Sequence, residues 1–314
     1  MRKPGFSPQT AHRLAVASML LLAFIVFTGA AVRLSGSGLA CPAWPECNDQ
    51  IIHASSPEWI EFGNRLISGA AGLLAVAVFV AMLFRTPRDR TLVWLATFPP
   101  IGFCMQGALG AAVVYYDLRP GFVISHFLLS FLILVDACFL VWRSRNPKGE
   151  RPLATDPLTT WAVRALLPLV TLLVILGTFA TGAGPHPGSF EDQVTPRITW
   201  FGGDTLHKLI LDHGHVGTFT FIVTFLVLVL LWWRKAPKAL FNRVLTVWVV
   251  FGLQGVIGLI QYYNGLPATL VWVHIVLATC VWVLVLFAVF EAGRLTPRRA
   301  AAPAATEPAG TSVA

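Results

Sequence analysis

Eight apolar runs, at approximately 13–34, 62–84, 92–115, 121–143, 161–183, 207–233, 241–263 and 267–290, divide this chain of 314 residues. A helix needs about 20 residues, at about 1.5 Å each, to cross about 30 Å of hydrocarbon. Lipid offers no partner to backbone N–H and C=O groups, so each run is expected to be a helix. The expected fold class is therefore an all-α integral membrane protein with eight transmembrane helices. Composition agrees, with 56% apolar and 12% charged residues, where soluble domains carry about 25% charged. That balance excludes a disordered chain, a disulfide-stapled secreted fold and a peripheral surface binder. The net charge of +8 does not point to nucleic acid, because the basic residues flank apolar runs and form no continuous patch.

They read instead as topology signals. Of 23 Lys and Arg, 18 lie at the N-terminus, the 85–90, 143–164 and 234–243 breaks and the C-terminus. Five lie at the other face: Arg33, Arg65, Arg119, Arg197 and Lys208. By the positive-inside rule both termini are expected in the cytoplasm. The first run has the basic leader of a secretory signal, but its 19 apolar residues (Leu14–Val32) exceed the roughly 7–15 of such a segment. The tail after 290, rich in Ala and Pro, is expected to be disordered.

A shift of 148 residues lays the third and fourth runs on the seventh and eighth. Gln106, Gly107, Gly110, Tyr115, Leu118, Val123 and His126 fall on Gln254, Gly255, Gly258, Tyr263, Leu266, Val271 and His274, seven identities in 21 positions. Gly29 and Gly36 fall on Gly177 and Gly184. Two tandem four-helix bundles are expected: a half at 13–143 and a half at 161–290, flanked by cytoplasmic segments 1–12, 144–160 and 291–314. An even number of spans per half implies parallel halves, so chemistry at a point in one should recur in the other.

Of eight histidines, His126, His207, His213, His215 and His274 fall in the outer turns of spans four, six and eight, His53 and His186 in outer loops. Imidazole at membrane depth is costly and marks a functional site by default. A single one could be only an interhelical hydrogen bond. The repeat of His126 at His274 favours axial ligation of haem in an apolar slot. Zinc or copper is less suited, for these helix ends lack Cys, Asp or Glu at metal spacing.

The first outer loop reads SGSGLACPAWPECN over 35–48. Cys41 and Cys47, six apart on the oxidising face, suit a disulfide, two free thiols being the other reading. Cys104, Cys138 and Cys280 lie in apolar spans and read as core. Glu61 and Arg65 stand four apart at the start of span two, which suits either an interface ion pair or a carboxyl serving an outer pocket. Asp212 is a candidate to orient His213. Asp136 lies mid-span with no role assigned.

These motifs, with TGAGPHPG at 181–188, resemble the haem A synthase family across residues 13–290. The resemblance implies oxidation of a ring methyl of haem O to the formyl of haem A, with dioxygen and external electrons, for terminal oxidase assembly. It implies Glu61 as the catalytic carboxyl and His126 as the substrate haem ligand of the N-terminal half. It implies His274 as one ligand of a haem b cofactor in the C-terminal half. The partner in span six is expected to be His213, with His215, about 200° around the helix, as second choice. The family pattern Glu-x-x-His-Arg is here Glu61-Phe-Gly-Asn64-Arg65, so Asn64 stands where a ligand is expected.

The resemblance also implies haem O synthase, a protohaem farnesyltransferase, as upstream partner, an electron donor outside the chain, and room for a homo-oligomer in the lipid bilayer. Two rival readings remain. A non-enzymatic di-haem membrane cytochrome would use the same histidines, though Glu61 and the CPAWPEC loop disfavour it. A transporter would place its Gly and Pro breaks nearer the midplane.

Overall fold

The computed structural model describes residues 5–41, 44, 47, 56–146, 156–189 and 195–293. His53, the tail after 293 and most of the 144–160 linker lie outside the described residues. The described residues form nine helices: α1 (Pro8–Leu34), α2 (Ser56–Leu83), α3 (Arg90–Leu95), α4 (Phe98–Tyr115), α5 (Pro120–Arg145), α6 (Pro157–Ala183), α7 (Thr205–Trp233), α8 (Lys238–Tyr263) and α9 (Ala268–Glu291). Taking α3 and α4 together, eight segments are long and apolar enough to cross a membrane. The protein is an all-helical, multi-pass membrane protein.

The third span differs from expectation in being broken at Ala96–Thr97. Pro99 and Pro100 supply no backbone N–H, so an unbroken helix would leave carbonyls of the preceding turn without donors. The backbone N–H of Ala96 instead closes α3 on the carbonyl of Leu92, and the Thr97 hydroxyl donates to the carbonyl of Trp94 at 2.6 Å.

Within the first four spans, α1 packs on α2, α2 on α4, α4 on α5 and α5 back on α1; α6, α7, α8 and α9 follow the same cyclic order. Helix α9 joins the two sets through α5 and α1. Apolar side chains gain nothing by leaving lipid for a helix interface, so packing and polar bonds hold helices together in a bilayer. Two indoles make such bonds: Trp272 donates to the carbonyl of Phe27 at 2.9 Å and Trp282 to that of Phe131 at 3.1 Å.

The repeat is also present in the backbone. The turn after α4 has Asp117 and Leu118 at φ 51° and 57°, and the turn after α8 has Gly265 and Leu266 at 75° and 60°. The N–H of Leu118 bonds the carbonyl of Val113, and that of Leu266 the carbonyl of Gln261. These are the same helix-ending bonds at positions related by the 148-residue shift.

The close-packed core sits toward the end of the spans that carries the chain termini. Ala11, Ala15, Ala81, Met82, Leu134, Cys138, Val163, Leu166, Leu231, Val244, Val285 and Leu286 belong to this one buried cluster, all nearly inaccessible. At the opposite end, buried apolar packing shrinks to Ile124, Ile198 and Leu209. That is the end where His126, His213 and His274 lie.

Outer segments of the two sets meet at Gly38 and Gly188. The Gly38 N–H donates to the Gly188 carbonyl at 2.7 Å, and a Cβ on Gly38 would lie 2.8 Å from that oxygen. Arg33 donates to the carbonyls of His186 and Thr181, each at 3.0 Å, and the His186 ring bonds the Leu266 carbonyl. Gly38→Ala forces backbone away from backbone, so a destabilisation of about 1–3 kcal/mol is expected. A thermal scan in detergent reading a lower Tm checks this; an unchanged Tm would show that the contact carries no weight.

Candidate functional site

His213 on α7 and His274 on α9 face each other with ring centroids 6.2 Å apart and planes at 71°. Both Nδ1 atoms are buried and make no hydrogen bond. Each ring rests on a glycine of a neighbouring helix. A Cβ on Gly177 would lie 3.0 Å from His213 Cε1, and one on Gly258 3.1 Å from His274 Cε1. The absence of side chains at these two positions lets the imidazoles fill the space between helices. A metal–imidazole bond of about 2 Å, with roughly 1 Å more to the ring centroid, would set two centroids about 6 Å apart around one ion. The observed separation therefore fits an iron held between the two rings.

The other outer histidines are elsewhere. His215 is exposed, two residues round the helix from His213, and exposed His207 approaches the Tyr262 hydroxyl at 3.4 Å. Asp212 does not orient His213. It is exposed, and the His213 Nδ1 has no hydrogen-bond partner; one residue along a helix turns a side chain about 100° away.

In the first set of helices, His126 on α5 occupies the position matching His274, against Gly110 as His274 lies against Gly258. A Cβ on Gly110 would lie 3.6 Å from His126 Cε1. Gln106 fastens the helix pair, its Nε2 donating to the carbonyl of His126 at 3.0 Å and to Ser130 Oγ at 2.7 Å. The His126 Nδ1 is buried without a partner. On α2 the repeat, with a one-residue slip, matches His213 to Asn64, whose Oδ1 accepts from Thr28 Oγ1 at 2.7 Å. Gly29, counterpart of Gly177, has open space within 4 Å of a built Cβ, where Gly177 has the His213 ring.

Among the described residues no three His, Cys, Asp or Glu side chains cluster to hold a bare metal ion. Two imidazoles in one place and one in the other suit an iron whose equatorial ligands come from a porphyrin. Both sites fit haem.

Glu61 is 4% exposed at the start of α2. One carboxylate oxygen pairs with Arg65 and the other accepts the Cys41 N–H at 2.8 Å, while Arg65 also donates to the Cys41 carbonyl at 3.3 Å. Cys41 and Cys47 form a disulfide. The segment holding Cys41 is thus bonded, through the backbone of one half-cystine, to the buried Glu61 carboxylate. Trp44 of the same loop lies over α4, its ring 3.8 Å from a Cβ built on Gly107 and its Nε1 3.9 Å from one on Gly110. Of the remaining cysteines, Cys138 is buried, Cys280 is partly buried and Cys104 is exposed, so Cys104 is not a core residue.

A cavity of about 450 Å³ opens between α5 and residues 197–200, lined by Pro120, Ser125, Phe179, Arg197 and Trp200. It belongs to neither histidine site, because Gly121, Ile124 and Ser125 lie on faces of α5 turned away from His126. Asp136, with Oδ2 buried and unbonded, lies about 15 Å along α5 from His126 and joins neither site.

The sequence profile of the cytochrome oxidase assembly proteins, COX15-CtaA, matches residues 12–185, just over half of the chain, from the first turns of α1 to the end of α6. The chain belongs to this family. Among relatives in the cytochrome oxidase assembly protein family, "Heme A synthase" of Shewanella oneidensis is 32% identical over 184 residues, 52% of this chain and 53% of that protein. The alignment thus spans about half of that relative's length. Proteins named "Heme A synthase" from Bacillus cereus and Bacillus anthracis are 23% identical over 292 residues, 88% of this chain and 91% of theirs. The family match contains Glu61, Asn64 and His126, and the longer alignments extend through the half with His213 and His274.

Several site residues escaped sequence reasoning. Gln106 could have been found from its repeat at Gln254. Thr28 and Trp44 carried no signal, because their roles depend on which helix and which loop come to lie beside them.

Proposed function

We propose that this chain is a haem A synthase, which oxidises a ring methyl of haem O to the formyl group of haem A. The carrying observation is the inequality of two repeat-related sites: His213 faces His274 in one, whereas in the other His126 is matched on α2 by Asn64, which bonds Thr28. A resident electron-carrying haem would be held by two imidazoles, while a substrate must enter, react and leave. The relatives' names point the same way. A di-haem cytochrome would have no use for the unequal ligation or for the buried Glu61 carboxylate.

On this reading His213 and His274 hold haem b, and His126 holds haem O. When bound, the haem groups supply the electron transfer and oxygen activation that side chains cannot perform. The chain's own contribution is position and charge. Gln106 and Ser130 fix the backbone carbonyl of His126, so α5 presents its imidazole at one height. Gly110 leaves room for that ring. The Glu61 carboxylate, charge-paired with Arg65 and bonded to the Cys41 N–H, acts as a fixed ionised group that stabilises positive charge developing on the substrate ring. Methyl to formyl removes four electrons from the substrate; an electron donor outside the chain supplies what dioxygen reduction further requires.

The positive-inside distribution supports a bacterial plasma membrane with both termini in the cytoplasm and both haem sites toward the outer face. Haem O synthase is the natural upstream partner, since its product is the substrate here.

Two experiments test the proposal. Purified protein given haem O, dioxygen and a reductant is expected to yield haem A, identified by mass; haem O recovered unchanged would refute the activity. Asn64→His is expected to shift the substrate haem spectrum from one-histidine, high-spin to two-histidine, low-spin. An unaltered spectrum would remove Asn64 from the ligand position.

A further inference from the structure

The two halves differ in a second respect that the histidines do not explain. Gly107 and Gly110 are a turn apart on α4 and present a flat strip beside His126. In the repeat, Gly258 receives only His274, and Gly255, the counterpart of Gly107, has open space around it. In the first half the strip meets the Trp44 indole. Points built at Cβ of Gly107 lie 3.8 and 3.9 Å from its six-membered ring, and the point at Gly110 lies 3.9 Å from Trp44 Nε1 and 3.6 Å from His126 Cε1. The indole and the imidazole therefore converge on one spot of α4.

Trp44 is 45% exposed, so part of its indole is open to a ligand. Its attachment is not casual. It lies between Cys41 and Cys47, which are disulfide-bonded, and Cys41 is held through both its N–H and its carbonyl by Glu61 and Arg65. The loop's fastening and the carboxylate of the site are one hydrogen-bonded unit. An indole held against these glycines by its Nε1–Cη2 edge, partly exposed and with an imidazole alongside, is suited to a flat aromatic ligand.

We propose that Trp44 is a substrate-positioning residue, an aromatic wall of the His126 site that stacks on the ring of haem O. The inference rests on the reading of His126 as the substrate site. It adds that Trp44, between the disulfide-bonded Cys41 and Cys47, supplies binding contact, and that it does so only for the half whose ligand must be exchanged.

The test uses full-length protein with haem b bound, titrated with haem O and assayed for haem A. Trp44→Ala and Trp44→Leu are each expected to raise the Kd and KM for haem O about tenfold, as expected for a lost stacked ring with its buried area. Trp44→Phe is expected to restore affinity to within about twofold to threefold, since it keeps an aromatic face. The haem b spectrum should be the same in all four proteins, which serves as the measure of folding. Equal affinity for haem O in wild type and Trp44→Leu would overturn the proposal, as would Trp44→Leu binding as well as Trp44→Phe. If Trp44→Ala or Trp44→Leu fails to retain haem b, the Phe variant decides: weakening as large as that expected for Leu would overturn the stacking role. Wild type that binds haem O but yields no haem A would sink the haem A synthase reading instead, and the binding titrations would still decide on Trp44.

Discussion

Replacing Glu61 with Gln is expected to stop haem A formation while leaving the resident haem in place. Glutamine keeps the size of the side chain and can still accept the Cys41 N–H, observed at 2.8 Å, so the loop retains one of its fastenings. What goes is the negative charge, and with it the partner of Arg65. A fixed charge aimed at a reacting centre in a water-poor site is worth roughly a hundredfold to a thousandfold in rate. The product is therefore expected to fall by at least about a hundredfold. The spectrum due to His213 and His274 should stay as in wild type, because those residues lie on α7 and α9 and Glu61 on α2. Measuring haem A per bound haem b in membranes carrying each protein separates chemistry from folding. Undiminished output from the variant would show that the carboxylate only braces the loop.

His274→Ala is expected to have an effect as large by a different route. The two rings are 6.2 Å apart, each lodged against a glycine, so removing one opens a hole that no neighbour fills. With a single remaining axial imidazole the site is expected to lose its low-spin, two-histidine spectrum and most of its haem b on purification. Haem A output should fall to background with it. His215→Ala, at an exposed position one helical face away, should leave both unchanged. A normal haem b spectrum in His274→Ala, or its loss in His215→Ala, would reassign the ligand pair.

Much of this was legible from residue order, and for particular reasons. Lipid forces backbone groups to pair within a segment, so the eight apolar runs could hardly be other than helices. The 148-residue repeat marked His126 and His274 as equivalent before any contact was known, and the matching positive φ pairs at Asp117–Leu118 and Gly265–Leu266 bear out that equivalence in the backbone. The choice of His213 over His215 followed from the repeat, a one-residue slip of which lays Asn64 on His213, while the roughly 200° between the two histidines meant that both could not face His274.

Other features depend on encounters that a sequence does not encode locally. The α3–α4 break was written in Pro99 and Pro100, but the length of the apolar run masked it. The partner of Glu61 beyond Arg65 is the backbone of Cys41, 20 residues earlier, reached only because the loop folds back over α2. Asp212 looked suited to orient His213 by adjacency, yet neighbours on a helix diverge by about 100°. Cys104 lies in an apolar span but faces outward, since an apolar helix in lipid carries no outward polar stripe to show which face is buried.

The most direct test of the account is a haem extract from membranes co-expressing this chain with a haem O-forming enzyme, separated and identified by mass and pyridine spectrum. Haem A is predicted in the wild-type extract and absent from Glu61→Gln, with haem b present in both. Haem b alone, with haem O left unconverted despite oxygen and reductant, would contradict the account and leave a membrane cytochrome with one incomplete site.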